Sequence, residues 1–401
     1  MSETATRRSE PVSAARRQFD PYTKAVWGLM NHWYPAFFSS ELGEDEAKGI
    51  KVCGIPVILR RANGEVFALR DQCAHRGVRM SIRPACFTKD TLTCWYHGFT
   101  YDLETGKLVT IVAAPDDPIV GDVKLQTFPV REKNGIIYVF VGDDGYEPVP
   151  DLAEDLPPKL PADYPHQVPH LLDDDAVVLG IRRTVASNWR LGVENGFDPG
   201  HNWLHRDSPI VVALDTALPL GLVPRGPNAL TTFEGDGPKG IRNEWDSGDY
   251  DVVMSSEKLG LQARGANKIP GLRTSIFLPG VLMVEHWPAY GLAQYEWYVP
   301  IDDEHHEYWA VVAKSCPTPA ERTDFEYAYD KLWRDAALGA FNDDDLFARE
   351  AMENFYAEGG TGWDDEQLCG MDAVIVGWRK IVSRYARGYQ TPQAHPTPKN
   401  A

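Results

Sequence analysis

The sequence predicts an α+β chain in which a small all-β, metal-binding domain precedes a larger domain of mixed strands and helices. Two observations support this prediction. From about residue 50 to residue 142, short apolar runs are separated by Asn-Gly and Thr-Gly turns, as in antiparallel hairpins. After about residue 170, strand-like runs are followed by a helix-start signal. A length of 401 residues is sufficient for two domains.

The all-β domain is predicted from its turns. Asn63-Gly64 separates the run Ile55–Arg61 from Glu65–Arg70, and Asn134-Gly135 precedes the run Ile136–Val141. Asn-Gly is a strong hairpin signal, because both residues adopt a positive φ readily. We therefore expect small antiparallel sheets in this part of the chain.

The second domain combines both types of element. Glu296–Pro300 and His306–Ala313 are typical of strands that flank a turn. Thr318–Glu321 is a capping box with proline at the first helical position, which predicts a helix that starts there. A second helix is expected from about Asp344 through Tyr356.

A connector separates the two domains. The stretch from Tyr146 to about Pro169 contains seven prolines, as expected of a domain boundary. We therefore predict an N-terminal segment over residues 1–30, a metal domain over 31–150 and a second domain over 151–401. The first 18 or so residues are small and polar, and we expect them to be loosely ordered.

Composition excludes several classes of function. Forty basic residues against fifty-eight acidic ones give a net charge of −18, which argues against nucleic acid as a partner. No apolar run of about 18 residues is present, so no membrane span is expected, and the N-terminus shows no apolar signal-peptide core. Six cysteines without regular pairing argue against a disulfide scaffold. We expect a protein of the reducing cytoplasm.

Two cysteines and two histidines indicate a metal cluster. Cys73-Ala-His75 is followed after eighteen residues by Cys94-Trp-Tyr-His97, so each loop supplies one thiolate and one imidazole. A Rieske [2Fe–2S] centre uses two Cys for one iron and two His for the other. The alternative is a structural zinc site in a binding protein, although zinc knuckles usually take both sulfurs from one loop. The pattern therefore favours a Rieske cluster on these four residues.

A second group of ligands follows the connector. His201 and His205 are four residues apart and would share one face of a helix that starts at Pro199 with Asp198 as its N-cap. Two His and one carboxylate form the facial triad of non-haem iron oxygenases. The acidic run Asp343–Asp345 is the outstanding source of the carboxylate, and spacing alone does not choose among its three Asp. The run is also compatible with an ordinary acidic helix N-terminus.

Together these motifs resemble the α subunit of Rieske non-haem iron ring-hydroxylating oxygenases. The resemblance rests on the cluster motif, on the segment Asn195-Gly-Phe-Asp-Pro-Gly-His-Asn-Trp-Leu-His205 and on the acidic run near residue 345. It covers nearly the whole chain from Asn31 onward. It implies an inserted Rieske domain and a catalytic domain in which an antiparallel sheet wraps a long helix.

The resemblance also implies roles for individual residues. The carboxylate ligand is the last residue of the acidic run, Asp345, with Asp344 as the alternative register. Asp198 matches the bridging Asp of the family, which links a cluster His of one subunit to an iron-ligand His of the next. Electrons would then cross a subunit boundary in a head-to-tail homotrimer. The implied cofactors are one Rieske [2Fe–2S] cluster and one mononuclear non-haem Fe(II) per subunit.

The electron donor implied by the family is a ferredoxin, which a ferredoxin reductase serves in turn. The segment Gly235–Gly240 matches G-x-G-x-x-G, but Pro238 within it and a strand-like run after it argue against a dinucleotide site. We therefore expect NADH to act only through the partner proteins. O₂ and an aromatic small molecule are the expected substrates.

Within the family the resemblance is narrower, to members that act on carbazole. It implies angular dioxygenation, with 2'-aminobiphenyl-2,3-diol as the product. Gly196, Phe341 and Asn342 are expected to line the pocket, with the Gly196 carbonyl accepting the substrate N–H. Gly196 is also a candidate helix C-cap, and Leu278 and Val281 are either pocket or strand core.

Two other functions are compatible with the same sequence. A Rieske monooxygenase, acting as a hydroxylase or dealkylase on another nitrogen heterocycle, would use the same metals. An electron-transfer protein without oxygenase activity would keep the cluster, but it would leave unexplained the roughly 250 residues after the connector.

Overall fold

The computed structural model describes residues 19–216, 230–244, 271–357 and 362–391. Within these residues, strands form four antiparallel sheets and helices cover one of them. This architecture confirms the α+β class predicted from the sequence. The expectation for the first 18 residues lies outside the described part of the chain.

Three small sheets make up the first part of the fold. Their strand orders are β1-β10-β9, β2-β3-β4-β8 and β5-β6-β7. The strands are β1 (His32–Phe38), β2 (Ala47–Val52), β3 (Ile55–Ala62), β4 (Glu65–Arg70), β5 (Thr91–Thr93), β6 (Phe99–Asp102), β7 (Leu108–Ile111), β8 (Thr127–Phe128), β9 (Val130–Lys133) and β10 (Ile136–Val141).

The predicted hairpins are confirmed. Asn63 and Gly64 have φ angles of 55° and 78° between β3 and β4, and Asn134 and Gly135 have 48° and 80° between β9 and β10. Positive φ at both positions is the type I′ geometry that matches the twist of the flanking strands.

A seven-stranded sheet forms the second part, in the order β11-β17-β16-β15-β14-β13-β12. Its strands are β11 (Ala176–Val185), β12 (Leu230–Phe233), β13 (Gly240–Glu244), β14 (Arg273–Phe277), β15 (Val281–Glu285), β16 (Ala293–Pro300) and β17 (His306–Ser315). The glycine-rich segment 235–240 forms the connection between β12 and β13, with Phe233 opposite Gly240.

The helices follow the sequence signals. They are α1 (Asp20–Lys24), α2 (Trp189–Phe197), α3 (Pro209–Ala213), α4 (Pro319–Ala328), α5 (Asn342–Tyr356), α6 (Gly362–Asp365) and α7 (Ala373–Tyr385). Shorter 3₁₀ segments span Ser39–Glu41, Met80–Ile82, Leu152–Asp155, Pro199–Asp207 and Gly370–Asp372. The capping box at Thr318 is confirmed, because its hydroxyl accepts from the Glu321 amide at 3.3 Å.

One long helical run crosses the second part. The wider π-type turns of Tyr329–Phe341 join α4 to α5, so the chain stays helical from Pro319 through Tyr356. The helix α5 packs against α2, which in turn lies on β16. The long helix against an antiparallel sheet therefore has the form that the family resemblance implied.

The two faces of the large sheet have different partners. On β16, Tyr295 and Trp297 belong to an apolar core shared with the strands β1 and β10 of the first part. The alternate residue Tyr298 faces the helices instead and packs in a second core with Trp189 and Phe197 of α2. Side chains alternate along a strand, so β16 separates the two cores.

The shared core joins the two parts of the fold. Trp33 and Tyr138 of the small sheet pack together with Trp297 and Trp309 of the large one. The ring centroids of Tyr138 and Trp297 are 6.3 Å apart. The predicted domain boundaries at residues 30 and 150 stay a prediction. Among the described residues, no helix combines the length and apolarity that a bilayer crossing requires.

A buried charge cluster ties three distant segments together. Asp155 accepts hydrogen bonds from the Trp33 amide at 2.8 Å, from His32 Nδ1 at 2.9 Å and from the Arg387 guanidinium. Both Asp155 and His32 are 1% exposed. Burial lowers the pKa of His32, although Asp155 opposes that shift. Asp155, in the connector, therefore holds the start of β1 and the C-terminal segment together through hydrogen bonds.

Asp155→Ala should lower the free energy of unfolding by roughly 3–5 kcal/mol, because removing one partner of a buried ion pair leaves the other charge uncompensated. Chemical denaturation followed by tryptophan fluorescence measures the change. Asp116→Ala, at an exposed carboxylate, is the control and should change the value by less than about 0.5 kcal/mol. Equal losses in the two variants would contradict the assigned role.

Candidate metal centres and substrate pocket

The two loops predicted to hold the cluster have the same backbone conformation. The Cys73 carbonyl accepts from the Gly77 amide at 2.8 Å, and the Cys94 carbonyl accepts from the Gly98 amide at 3.0 Å. Gly77 and Gly98 have φ angles of 71° and 72°, which favour glycine. The repeated Cys-x-x-x-Gly spacing is therefore one tight turn used twice.

The four side chains divide into two pairs. Cys73 and Cys94 are each 2% exposed, whereas His75 is exposed and His97 is half-buried. The Nδ1 atoms of His75 and His97 are 3.1 Å apart. Burial raises the pKa of the Cys94 thiol, and contact with Cys73 adds to the rise. A cation between the loops would favour the thiolate form of Cys94.

The spacing of these pairs fits two metal ions better than one. A tetrahedral zinc ion brings all four ligand atoms to within about 4 Å of one another, because its bonds are about 2.0–2.3 Å long. No three of the four loop ligands, all of which the structure describes, lie together within 4.8 Å. A buried sulfur pair and an outer nitrogen pair match the two irons of a Rieske cluster.

Tyr101 on β6 adds a contact that sequence reasoning missed. Its hydroxyl accepts a hydrogen bond from the Ala74 amide at 3.1 Å and lies 3.3 Å from Cys73 Sγ. Burial raises the pKa of Tyr101, as does its contact with Cys73, so the hydroxyl keeps its proton. A Cys73 thiolate can only accept, so the Tyr101 hydroxyl would then be the donor to the sulfur.

The predicted histidine pair lies beyond the end of α2. Asp198 ends that helix and caps the next one, because its Oδ1 accepts from the Gly200 amide at 2.7 Å. Residues Pro199–Asp207 form a 3₁₀ helix rather than the predicted α-helix. The pair nevertheless stays on one side, with the ring centroids of His201 and His205 5.2 Å apart.

The carboxylate of Asp345 completes a group of three ligands. Asp345 Oδ1 lies 3.2 Å from His205 Nε2 and 3.5 Å from His201 Nε2. The ligand atoms of the three residues all lie within 4.8 Å of one another. Although burial raises the pKa of Asp345, the two histidines and Arg349 outweigh it and hold that pKa well below its usual range. The geometry is that of a facial triad around one position.

Hydrogen bonds orient both imidazoles toward that position. His201 Nδ1–H donates to the Asp198 carbonyl, which leaves Nε2 as the lone-pair donor on the inner side. His205 Nδ1 lies 3.5 Å from Ser208 Oγ, on the side away from Asp345. Outer partners of this kind fix the tautomer of a metal-ligating histidine.

The other two Asp of the run point elsewhere. Asp344 Oδ2 accepts a hydrogen bond from Ser208 Oγ at 2.8 Å and lies 3.7 Å from His205 Nδ1. Asp343 forms an ion pair with Arg183. Of the three Asp, Asp345 is therefore the one that lies at the Nε2 atoms of both histidines.

Asp198 lies beside this group. Burial raises the pKa of its carboxyl, while His201 and the Gly200 amide oppose the rise. Its carboxylate accepts hydrogen bonds from the backbone amides of Gly200 and His201.

A cavity of about 60 Å³ opens on the three-ligand group. Two of the predicted pocket residues, Gly196 and Phe341, lie in its wall. The described residues that line it are Gly196, His201, Asn202, Leu272, Thr274, Leu282, Val284, Trp287, Gln294, Glu296, Phe341 and Asp345.

Other pocket predictions need correction. Asn342 is fully buried, but its side chain donates to the Leu338 carbonyl at 3.3 Å and it is not among the lining residues. Phe341 therefore faces the cavity, whereas the Asn342 side chain points to its own helix. Leu278 and Val281 pack in the two apolar cores instead.

Sequence reasoning missed the wall that β15 and β16 provide. Leu282 and Val284 alternate along β15, and Gln294 and Glu296 alternate along β16. The period of two was visible in the sequence, and it could have identified one face of each strand. It could not show which face meets the helices.

Gly196 is required for close packing. It lies inside α2, so its interpretation as a helix C-cap is wrong. A Cβ atom at Gly196 would lie 1.9 Å from the Tyr298 hydroxyl and 3.2 Å from Leu282 Cδ2. The Gly200 amide, which would bond the Gly196 carbonyl in a continued helix, donates to Asp198 instead.

Two family models match the chain. The model of the Rieske [2Fe-2S] domain matches residues 32–129, and the model described as a homotrimeric ring hydroxylase matches residues 140–390.

Individual proteins match over nearly the full length. The terminal oxygenase component CarAa of carbazole 1,9a-dioxygenase from Metapseudomonas resinovorans is 42% identical over 94% of this chain and 95% of its own length. A solved 2-oxoquinoline 8-monooxygenase component is 49% identical, with a TM-score of 0.89 over 98% of this chain and 93% of that one. A solved complex between oxygenase and ferredoxin in carbazole 1,9a-dioxygenase is 38% identical, with a TM-score of 0.83 over 96% and 97%.

Tyr101→Phe should lower the reduction potential of the reconstituted cluster by about 40 mV. One neutral hydrogen bond contributes about 1 kcal/mol, and a one-electron potential changes by about 59 mV per tenfold change in equilibrium constant. Spectroelectrochemical titration of the purified protein measures the shift. Tyr34→Phe is the control, because its buried hydroxyl donates to the Leu29 carbonyl. An unchanged potential in Tyr101→Phe would exclude the bond to sulfur.

Proposed function

Because this chain belongs to the homotrimeric ring hydroxylases that carry a Rieske [2Fe–2S] domain, we propose that it takes electrons from a ferredoxin and uses O₂ to hydroxylate a flat nitrogen heteroaromatic compound. One observation carries the proposal. Two potential iron ligands, His201 and Asp345, line the same cavity as Gly196 and Phe341. A metal that activates O₂ and an aromatic substrate would therefore meet in one cavity.

The cofactors of the family are a Rieske [2Fe–2S] cluster and a mononuclear non-haem iron. We assign the cluster to the two-loop ligand set, and the mononuclear iron to His201, His205 and Asp345. The mononuclear iron supplies O₂ activation when bound, because a facial triad leaves coordination positions open. The residues of the chain hold the ligands in place, orient the substrate and keep bulk water out. The four cluster ligands are Cys73, His75, Cys94 and His97.

Asp198 is proposed as the bridge between the two centres. Its backbone carbonyl holds His201, its Oδ1 is bonded within its own chain, and its second oxygen can accept from a cluster histidine of a neighbouring subunit. His75 and His97 suit this role, since they are the outer ligands of the cluster. The homotrimer supplies the neighbour.

A ferredoxin is proposed as the donor, since a solved relative forms a complex with one. Arg76, Arg79 and Lys89 are exposed around the cluster loops. Trp95 Nε1 donates to the Arg79 carbonyl at 2.9 Å, which ties this basic rim to the second loop. Positive charge there would steer an acidic donor despite the overall charge of −18. A reductase that oxidises NADH would serve the donor, and the cytoplasm would supply both.

Carbazole is the first substrate that we propose. Addition of O₂ with two electrons and two protons at the carbon that bears nitrogen and its neighbour gives a hemiaminal, which opens to 2'-aminobiphenyl-2,3-diol. The Gly196 carbonyl is a candidate acceptor for the carbazole N–H, since the helical amide that would compete for it is bonded to Asp198. Phe341 stacks on His205 with centroids 3.8 Å apart and offers an aromatic wall to the tricycle.

A second candidate is monohydroxylation of a two-ring lactam such as 2-oxoquinoline. The 49% identity to the 2-oxoquinoline 8-monooxygenase component favours it. The polar part of the pocket wall does as well, because Thr274, Gln294 and Glu296 exceed what a purely hydrocarbon ligand requires.

Product analysis tests both candidates. The purified trimer would be incubated with a ferredoxin, a reductase, NADH and O₂, together with carbazole or 2-oxoquinoline. Mass spectrometry after ¹⁸O₂ labelling would show two labelled oxygens in the aminobiphenyldiol, or one in a hydroxylated lactam with the other released as water. Failure to hydroxylate any nitrogen heteroaromatic compound would refute the proposal.

Asp345→Ala should reduce the iron content from about three to about two atoms per chain, because the [2Fe–2S] cluster remains. The visible spectrum of the cluster should be unchanged, and the variant should no longer hydroxylate the substrate. Asp343→Ala is the matched control, since that carboxylate pairs with Arg183. Iron analysis that shows equal occupancy in the two variants would reject Asp345 as a ligand.

Asp198→Ala should retain both metals and slow the transfer of electrons between them. The cluster would still be reduced by dithionite at the normal rate. Its reoxidation by O₂ in the presence of substrate, followed at a single turnover, should fall by about 100-fold or more, as expected for loss of a positioning contact. Normal reoxidation would remove Asp198 from the path.

A further inference from the structure

The carboxylate of the three-ligand group has a buried cation on its own helix. Arg349 follows Asp345 by four residues in α5, so the two side chains lie on one face of that helix. Arg349 is fully buried, and Asp345 is 3% exposed. Burial of a charged group is costly, so a guanidinium at this position needs charged or polar groups around it that compensate for the cost.

Three contacts fix the guanidinium between the helices and the large sheet. The Nε atom of Arg349 donates to Asn195 Oδ1 of α2 at 2.6 Å. Its Cζ atom lies 5.0 Å from the ring centroid of Tyr298 and 4.6 Å from that of Tyr308, which are distances of cation–π contact. The positive charge is therefore held in one place in the interior.

Glu296 on β16 places a second carboxyl group beside the same site. It is 4% exposed and lines the cavity together with Asp345. It accepts hydrogen bonds from Gln294 Nε2 and from the Tyr298 hydroxyl, each at 2.5 Å, and two donors favour the ionised form. Burial raises the pKa of Glu296, Arg349 opposes that rise, and Asp345 adds to it. Two carboxyl groups therefore share one buried guanidinium.

The guanidinium compensates these carboxylates through its electric field rather than through hydrogen bonds. The Nη2 atom of Arg349 is 4.0 Å from Glu296 Oε2. Neither Nη1 nor Nη2 has a hydrogen-bond partner among the residues that the structure describes. Burial raises the pKa of Asp345, but the two histidines and Arg349 together lower it. The field of Arg349 therefore extends to the carboxylate of the three-ligand group.

A fixed charge near an iron site shifts the balance between its two oxidation states. Fe(III) carries one more positive charge than Fe(II), so a nearby cation disfavours the ferric form and a nearby anion favours it. The carboxylates of Asp345 and Glu296 would together favour Fe(III), whereas an oxygenase with a facial triad uses Fe(II). The charge of Arg349 acts in the opposite direction.

We propose that Arg349 is a positioning residue whose buried charge offsets Glu296 and raises the reduction potential of the mononuclear iron, so that the ferrous form is favoured. This inference rests on the proposed function, because it assumes that iron occupies the three-ligand group. The electron that reduces Fe(III) to Fe(II) comes from the Rieske cluster, so no further reductant is required. The bond to Asn195 keeps the charge at a constant position relative to the ligand.

A redox titration of the anaerobic holoenzyme, followed by electron paramagnetic resonance, measures the potential directly. The signal of high-spin Fe(III) reports the mononuclear iron, and the signal of the reduced cluster is followed in the same samples. The potential of the cluster is an internal reference, because a general disturbance of the fold would change both centres. Iron analysis and the cluster spectrum would verify folding of every variant.

Arg349→Met should raise the ratio of Fe(III) to Fe(II) at a given potential about tenfold, which lowers the potential of the mononuclear iron by about 59 mV. Arg349→Gln, which can still donate to Asn195, should give the same shift and serves if the methionine variant does not fold. Arg349→Lys retains the charge and should keep the wild-type potential. Arg322→Met is the control, because that arginine is exposed on α4.

Glu296→Gln removes the opposite charge and should shift the potential in the opposite direction. The ratio of Fe(III) to Fe(II) at a given potential should fall about tenfold, which raises the potential by about 59 mV. Arg349→Met combined with Glu296→Gln removes both charges and should return the potential close to the wild-type value. A merely structural role of either residue would not make the direction of the shift follow the sign of the charge removed.

The outcomes separate the two proposals. Potentials of the mononuclear iron that are equal in wild type, Arg349→Met and Glu296→Gln, or that shift in the same direction in both variants, would overturn this inference and leave the proposed function standing. An equal shift of the cluster potential would overturn it as well. Wild-type holoenzyme that holds no third iron atom per chain would overturn the proposed metal assignment and the inference with it.

Discussion

The catalytic half of this fold depends on one carboxylate reaching two imidazoles that lie 140 and 144 residues earlier in the chain. Asp345 does so because the helical run Pro319–Tyr356 carries it into the space beyond the end of α2. Phe341 is one turn before Asp345 on the same helix, and its ring stacks on His205. The orientation of that helix about its axis therefore determines both the position of the Asp345 carboxylate and one wall of the pocket. Any shift that moved the carboxylate would also reshape the substrate site.

The site is polar inside an otherwise apolar structure. Glu296, Arg349 and Asn195 are buried between α2, α5 and the large sheet, where hydrophobic residues would pack at lower cost. Arg349 donates to Asn195, and Glu296 accepts from Gln294 in the wall of the cavity. Buried polar side chains that destabilise the fold are expected at functional sites, and packing elsewhere must compensate for their cost. The two large apolar cores on either side of β16 provide that support.

Local features could be predicted from the sequence, and features set by packing could not. The Asn-Gly hairpins and the capping box at Thr318 depend on a few adjacent residues, so their sequence patterns were sufficient. The paired Cys and His of the two loops were equally visible, because glycine at 77 and 98 repeats the same turn. The choice among three consecutive Asp was different, since each points about 100° from the next and only contact with the 3₁₀ segment selects one. The strand wall of the pocket depends likewise on which side of the sheet the helices cover.

The apolar seam between Tyr138 and Trp297 has an evolutionary consequence. A redox module that packed only through polar loops could move between proteins as a unit, but here its rear surface packs into the interior of the oxygenase. Exchange of the module between relatives would require matched aromatic residues on both sides of the seam. The reducing and oxidising halves of the enzyme are consequently constrained to diverge together.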